Sequence, residues 1–177
     1  GEGAGLVGQQ THIITMHDIA ATEAVVADGN AQMSILQSDV LNYAHNGSGG
    51  ETMFDGAADK NSLWVAGVYN ETVQLVTAPS ITSIEDLKGK TVCVGDVGSG
   101  TEINAWQVLG AAGLTKDDVN AVNGSFQDGV DQLKDGKIDA AFTVAGAPTT
   151  AIVDYATTNT LNLVSLSDDE LAAIQEA

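Results

Sequence analysis

The run Val92 to Gly113, VCVGDVGSGTEINAWQVLGAAG, sets an apolar β-branched stretch, a glycine-rich loop and a helical pattern end to end. A strand that passes through such a loop into a helix leaves main-chain N–H groups without carbonyl partners, aimed at one small volume. Gly98, Ser99, Gly100 and Thr101 occupy that junction. The chemistry they offer is the holding of a negative charge, although the same residues also suit a tight turn in which glycine serves backbone shape alone. The dinucleotide spacing G-x-G-x-x-G is not met, because Ile103 stands where the third glycine would be. No lysine follows the glycines, which excludes a triphosphate loop.

Charge narrows how an anion could be held. The chain of 177 residues carries 24 acidic residues against six lysines and no arginine, a formal charge of −18. Phosphate backbones and anionic lipid surfaces would be repelled, which places nucleic-acid and membrane-surface roles last. The same charge also serves plain solubility. With no guanidinium fork available, an anionic ligand falls to lysine, to hydroxyls such as those of Ser99 and Thr101, or to main-chain N–H groups.

Three more stretches carry polar or backbone-exposing groups where strands are expected to end. Ala145-Gly146-Ala147-Pro148 forms a turn ahead of a helix, suited either to ligand contact or to helix initiation with proline in the first turn. Tyr69 ends a strand pattern, where an aromatic ring either covers a ligand or packs in a core. Gln37, Ser38 and Asp39 are placed to hydrogen-bond a ligand amine or to cap the helix that follows.

Catalytic and metal sets do not assemble. His12, His17 and His45 lack the spacing of a metal site, and no G-x-S-x-G elbow surrounds a serine. Cys93, the single cysteine, lies within an apolar strand pattern and reads as core. The sequence therefore predicts no enzyme, no cofactor and no metal. No apolar run is long enough to span a bilayer, and residues 1–10 have neither the basic start nor the apolar middle of a signal segment.

The elements that must position these residues alternate. Strands are predicted at 11–15, 31–37, 63–69, 73–77, 91–95, 138–144 and 161–166, separated by helices that start after Asp18, Ser38, Ser83, Gly100, Ser125, Pro148 and Ser167. Ser83 with Asp86 and Ser167 with Glu170 have capping-box spacing. Ala105, Val108, Leu109 and Ala112 form a buried stripe, as do Phe126, Gly129, Val130 and Leu133. The segment 45–61 is glycine-rich and polar, and reads as an irregular surface excursion. Strands alternating with helices predict an α/β fold with mostly parallel sheets, in two lobes divided near Pro79 (1–79 and 80–177). In such sheets ligands bind at the carboxyl ends of strands, where the four candidate stretches lie.

Three longer runs, LQSDVLNYAHNG, SITSIEDLKGKTVCVGDVGSGTEINAWQVLGAAGLT and FQDGVDQLKDGKIDAAFTVAGAPTTAIVDYATT, resemble the TAXI-type solute receptors of tripartite ATP-independent periplasmic (TRAP) transporters. The resemblance spans roughly residues 11–177, in the same order, and is most specific over 83–158. It implies a periplasmic-binding-protein-like fold of type II, with two lobes around a ligand cleft. The family's GSGTE matches Gly98 to Glu102, its QSD matches Gln37 to Asp39, its aromatic strand end matches Tyr69, and its AG-x-P matches Ala145 to Pro148. Two family features are replaced: a GTGGTYYP-like loop by GEGAG at the start, and an STGGS-like turn by TMHDI at 15–19. The first lobe is accordingly expected to be partial, without its N-terminal strand and its C-terminal return.

The resemblance implies an extracytoplasmic receptor, periplasmic or tethered at a cell surface, that captures a small organic acid or an amino acid such as glutamate. Its partners would be that solute and the subunits of an ion-gradient-driven TRAP permease. Two other classes share the architecture: the effector-sensing domain of a regulator, which would need a DNA-binding segment, and a small transferase, which would need a nucleophile or base in the crevice.

Overall fold

A computed structural model describes residues 32–48 and 54–176. The chain divides into two compact units, Gly1–Leu63 and Trp64–Ala177.

In the first unit, helix α1 (Ser38–Asn46) follows Gln37, whose extended backbone stands at the cap position. Gly47 ends it with a left-handed φ of 63°, and the N–H groups of Gly47 and Ser48 return to Ala44 O and Tyr43 O. The loop behind it folds back through main-chain bonds from Gly56 to Gly47 O and from Asp59 to Ala44 O. Asp59 then accepts from the Asn61 N–H and the Ser62 hydroxyl, which hold its carboxyl below the usual range.

The second unit is built on a four-stranded sheet of β1 (Thr72–Thr77), β2 (Thr91–Cys93), β3 (Asn120–Val122) and β4 (Ala140–Ala145), in the order β1-β4-β2-β3. β2 runs parallel to both β3 and β4, whereas β1 is antiparallel to β4 along six paired residues from Thr72↔Ala145 to Thr77↔Ala140. This is the α/β fold the alternating pattern predicts, but with an antiparallel edge strand, β1, where mostly parallel pairing is expected.

Side-chain alternation along the strands divides the core in two. Leu75, Val92, Ala140 and Phe142 face one layer, with Ala105, Val108 and Leu109 of helix α2 (Gly100–Ala111) and with Ile81, Ile84 and Leu87. Their neighbours Val76, Cys93 and Ala141 face the other, against Val130 and Leu133 of α3 (Phe126–Lys134) and Ala151, Ile152 and Tyr155 of α4 (Thr150–Thr158). Both faces being covered explains the unbroken apolar run of β4. Cys93 lies in this second cluster, and burial pushes its thiol pKa up.

Local signals set the helix ends. Ser125 and Asp128 form a reciprocal capping box at the start of α3. Ser167 and Glu170 do the same ahead of α5 (Asp168–Glu176), with the Ser167 N–H and hydroxyl both donating to Glu170 Oε2. At 82–86 the anchor is shifted by one residue, since Asp86 accepts from the N–H groups of Thr82 and Ser83 and from the Thr82 hydroxyl, and the element is one 3-10 turn, Glu85–Leu87.

Several expected elements differ. Residues 33–37 and 63–71 carry no strand. Their apolar side chains find no ladder partner or packed face among the described residues, and Leu63, Val65 and Val68 are more than 70% exposed. The predicted strand 161–166 reduces to one antiparallel bridge, Val76↔Leu163, flanked by bonds from Thr77 N to Asn162 O and from Val164 N to Leu75 O. Asn162 spends its amide on Thr77 Oγ1, Ala78 O and Ile81 O, fixing the segment without a full ladder. α4 starts at Thr150 rather than Pro148, because Thr149 holds the extended cap conformation while its hydroxyl bonds Gly146 O and the Gln74 amide. β3 lies outside the elements predicted. The boundary expected at Pro79 would part β1 from β4, which the sheet joins.

Two outcomes follow from this packing. Phe142→Ala removes a fully buried ring between strand and helix and is expected to cost about 3–5 kcal/mol, read by denaturant unfolding. Asp118 is held well below the usual carboxylate range by the Thr115 N–H, then by the Lys88 ammonium and the Thr115 hydroxyl. A depressed folded-state pKa contributes stability present above the unfolded value and lost as pH falls. Asp118→Asn is therefore expected to lower stability at neutral pH and to flatten its decline below about pH 4, measured as melting temperature against pH.

Candidate functional site

The parallel pairing of β2 with β3 and β4 sends three loops to one edge of the sheet: 94–99 after β2, 123–125 after β3 and 146–149 after β4. β1 is antiparallel and begins opposite Ala145, so the chain enters the same edge just after Tyr69. The four strand-end stretches read from the sequence thus include three that belong to the second unit and share this edge. Gln37, Ser38 and Asp39 belong to the first unit, where they start α1. Gln37 takes the cap position without a side-chain cap bond, and Asp39 lies in the first helical turn, where its charge suits the helix dipole.

The loop after β2 closes on itself through the first turn of α2. Gly95 and Gly98 adopt left-handed φ values of 99° and 74°. A Cβ at Gly95 would lie 2.8 Å from both Cβ and Cγ2 of Thr101, so this position holds nothing larger than glycine. Ser99 caps α2 by accepting from the Glu102 N–H at 3.1 Å, and the Ser99 N–H donates to Asp96 O. Glu102 reaches back, and the Gly98 N–H donates to its Oε2 at 2.8 Å. Two of the backbone donors expected to face a ligand are therefore arranged otherwise: the chain's own carboxylate takes that of Gly98, and Ser99's goes to Asp96. Gly100 and Thr101, first and second in the helix, have no carbonyl within it to bond.

Ser99 and Thr101 are 7% and 5% exposed. The Thr101 methyl faces Gly95, and its hydroxyl makes no hydrogen bond among the described residues. This leaves the two N–H groups, the Thr101 hydroxyl and the hydroxyl proton of Ser99, whose oxygen accepts from Glu102, as the donors at the mouth of α2.

Asn123 was not among the candidates, and it proves to be what fixes the loop. Its amide donates to Gly95 O at 2.9 Å and to Glu102 Oε1 at 3.0 Å, joining the loops after β2 and β3. Nothing in its immediate sequence marks it, because the partners are 28 and 21 residues away.

On the neighbouring loop, Gly146 lies under the Tyr69 ring, whose Cδ2 would stand 3.9 Å from a Cβ there. Tyr69 is 60% exposed, which rules out the core-packing alternative, and its hydroxyl bonds Glu71 Oε1 at 3.3 Å. The Glu71 charge raises the phenol pKa. Ala147 and Pro148, joined by a cis peptide, complete the turn toward Thr149. Among the described residues, no group of three or more His, Cys, Asp or Glu is placed to hold a metal ion, and no helix is long and apolar enough to cross a membrane.

Solved structures with partial similarity include the periplasmic aliphatic sulphonate-binding protein SsuA from Escherichia coli, 23% identical over 54% of this chain and 31% of that one, with a TM-score of 0.45. An ancestral arginine-binding protein bound to arginine is 20% identical over 90% of this chain and 80% of that one, with a TM-score of 0.46. The truncated arginine-bound ArgBP from T. maritima is 16% identical over 81% and 71%, with a TM-score of 0.44. The chain spans under a third of the length of the Escherichia coli protein. A family model matches residues 18–177, nearly the whole chain, and on that match the protein belongs to the NMT1-like family.

Proposed function

We propose that this chain is the binding part of an extracytoplasmic solute receptor of the TAXI type, which captures a small organic acid or an amino acid of the glutamate kind and delivers it to a TRAP permease. Binding without catalysis suits the site, which offers main-chain donors and hydroxyls but no activated nucleophile. Membership of the NMT1-like family over 18–177 supports the receptor class. The likeness of the GSGTE, QSD and AG-x-P stretches to TAXI receptors supports the finer assignment.

The observation that carries this reading is the start of α2: the N–H groups of Gly100 and Thr101, unbonded within the helix, beside the hydroxyl of Thr101, a residue only 5% exposed. A carboxylate placed there gains charge-assisted hydrogen bonds and the favourable end of the helix dipole, without any guanidinium. Tyr69 and the turn at 145–148 cover the solute from the adjacent loop. Gln37, Ser38 and Asp39 enter the proposal only through the likeness of their QSD stretch to the family's.

Mass spectrometry of the denatured protein identifies the solute retained through purification, and calorimetry then measures its affinity. Thr101→Val keeps the methyl that faces Gly95 and removes the hydroxyl, and is expected to weaken binding by about 1–3 kcal/mol with the fold intact. Ser99→Ala is expected to weaken it comparably while also costing about 1 kcal/mol of stability through the lost cap. Unchanged affinity in Thr101→Val, or a retained solute with no acidic group, would overturn the reading.

A further inference from the structure

The carboxylate of Glu102 takes one of the main-chain donors that the sequence expects to face an anion, the Gly98 N–H. Its Oε2 accepts from the Gly98 N–H at 2.8 Å and its Oε1 from the Asn123 amide at 3.0 Å. That amide has two protons, and the second goes to Gly95 O at 2.9 Å, so both donors of Asn123 are committed. The Gly124 N–H also donates to Gly95 O, extending the contact between the two loops. Each carboxylate oxygen thus has its own donor, and the side chain is clasped from both ends rather than free to swing out. No lysine takes part. Lys88 pairs with Asp118, Lys137 with Asp135, and Lys116 sits over the Trp106 ring.

A negative charge tied to Gly98 and Asn123 therefore belongs to the same helix-entry loop as the remaining donors, the Gly100 and Thr101 N–H groups and the Ser99 and Thr101 hydroxyls. Resting on the receptor reading above, we infer that Glu102 is a specificity-determining residue: it admits a solute carboxylate only when that solute also carries a cationic group to face it, and disfavours dianions. Asn123 is the positioning residue that holds Glu102 in this role. The physical reason is the sign of the Coulomb interaction at a few Å, which is attractive for an ammonium and repulsive for a second carboxylate near a partly dehydrated surface.

Glutamate and glutarate test this directly, since they share two carboxylates and differ by the amine. Calorimetry on the whole protein is expected to give a preference for glutamate of at least about tenfold, shrinking to about threefold or less in Glu102→Gln, chiefly through tighter glutarate binding. Asn123→Ala, which unties the charge without removing it, is expected to weaken both probes while keeping a preference. An unchanged ratio in Glu102→Gln, with both probes still bound, overturns the role of Glu102 and leaves the receptor reading standing. Binding of neither probe by the unmodified protein overturns both. Should Glu102→Gln not fold, the unmodified protein decides alone: a preference that fails to narrow as salt rises would overturn the inference, because a charge-based filter must weaken under screening.

Discussion

The start of α2 must satisfy its first N–H groups with something, and the way the chain meets that demand organises the second unit. Ser99 takes the Glu102 N–H, and Glu102 takes the Gly98 N–H. The exchange is a capping box displaced by one residue, with the glutamate serving the residue before the cap instead of the cap itself. It forces Gly95 and Gly98 into left-handed backbone and brings Thr101 against Gly95 so closely that a methyl there would collide. Stability and recognition are coupled here. The donors left over at this helix start are those the chain has not already used.

The sheet makes this local arrangement useful. β2 lies between β3 and β4, parallel to both, so the loops after all three leave at one edge. Asn123 ties the first loop to the second, and the Tyr69 ring lies beside Gly146 of the third. Strand alternation supplies the rigidity behind them. Val92 and Cys93 face opposite layers, each closed by helices, so a shift of β2 by one residue would turn both into the wrong core. Gly129 belongs to the same constraint, because a Cβ there would stand 3.1 Å from Cys93 Sγ and 3.2 Å from Ala141 Cβ. A side chain at that position would have to push α3 or its neighbours in the sheet away by a few tenths of an ångström.

Legibility in the sequence followed the range of the interactions. The α2 and α3 stripes and the Ser167 cap rest on residues three to seven apart, and the burial of β4 on one unbroken apolar run, so the chain states them directly. The strands predicted at 31–37 and 63–69 rest on apolar composition alone, which cannot say whether a ladder partner exists. β3 escaped notice for the opposite reason. Asn-Ala-Val is short, lies at the sheet edge and is largely exposed, so neither length nor periodicity marks it. The site shows the same division. Glycines and hydroxyls at 98–101 were visible as a helix-entry loop, whereas the clasp of Glu102 by Asn123 depends on two loops meeting and has no local signature.

The charge of the whole chain and the charge at α2 point the same way. A protein with a formal charge of −18 and no arginine surrounds itself with a field that slows the approach of anions, the more so the higher their charge. The loop at α2 adds a carboxylate of its own, that of Glu102, so the local charge has the same sign as that of the whole chain. On the opposite side of this balance, two of the six lysines, Lys88 and Lys137, are bound up in surface pairs with Asp118 and Asp135. An anion held under these conditions must gain from directional hydrogen bonds, since it gains nothing from net charge. Directional donors on a helix start are fixed by backbone geometry, which is why the glycines at 95 and 98 and the amide of Asn123 decide what this loop can offer.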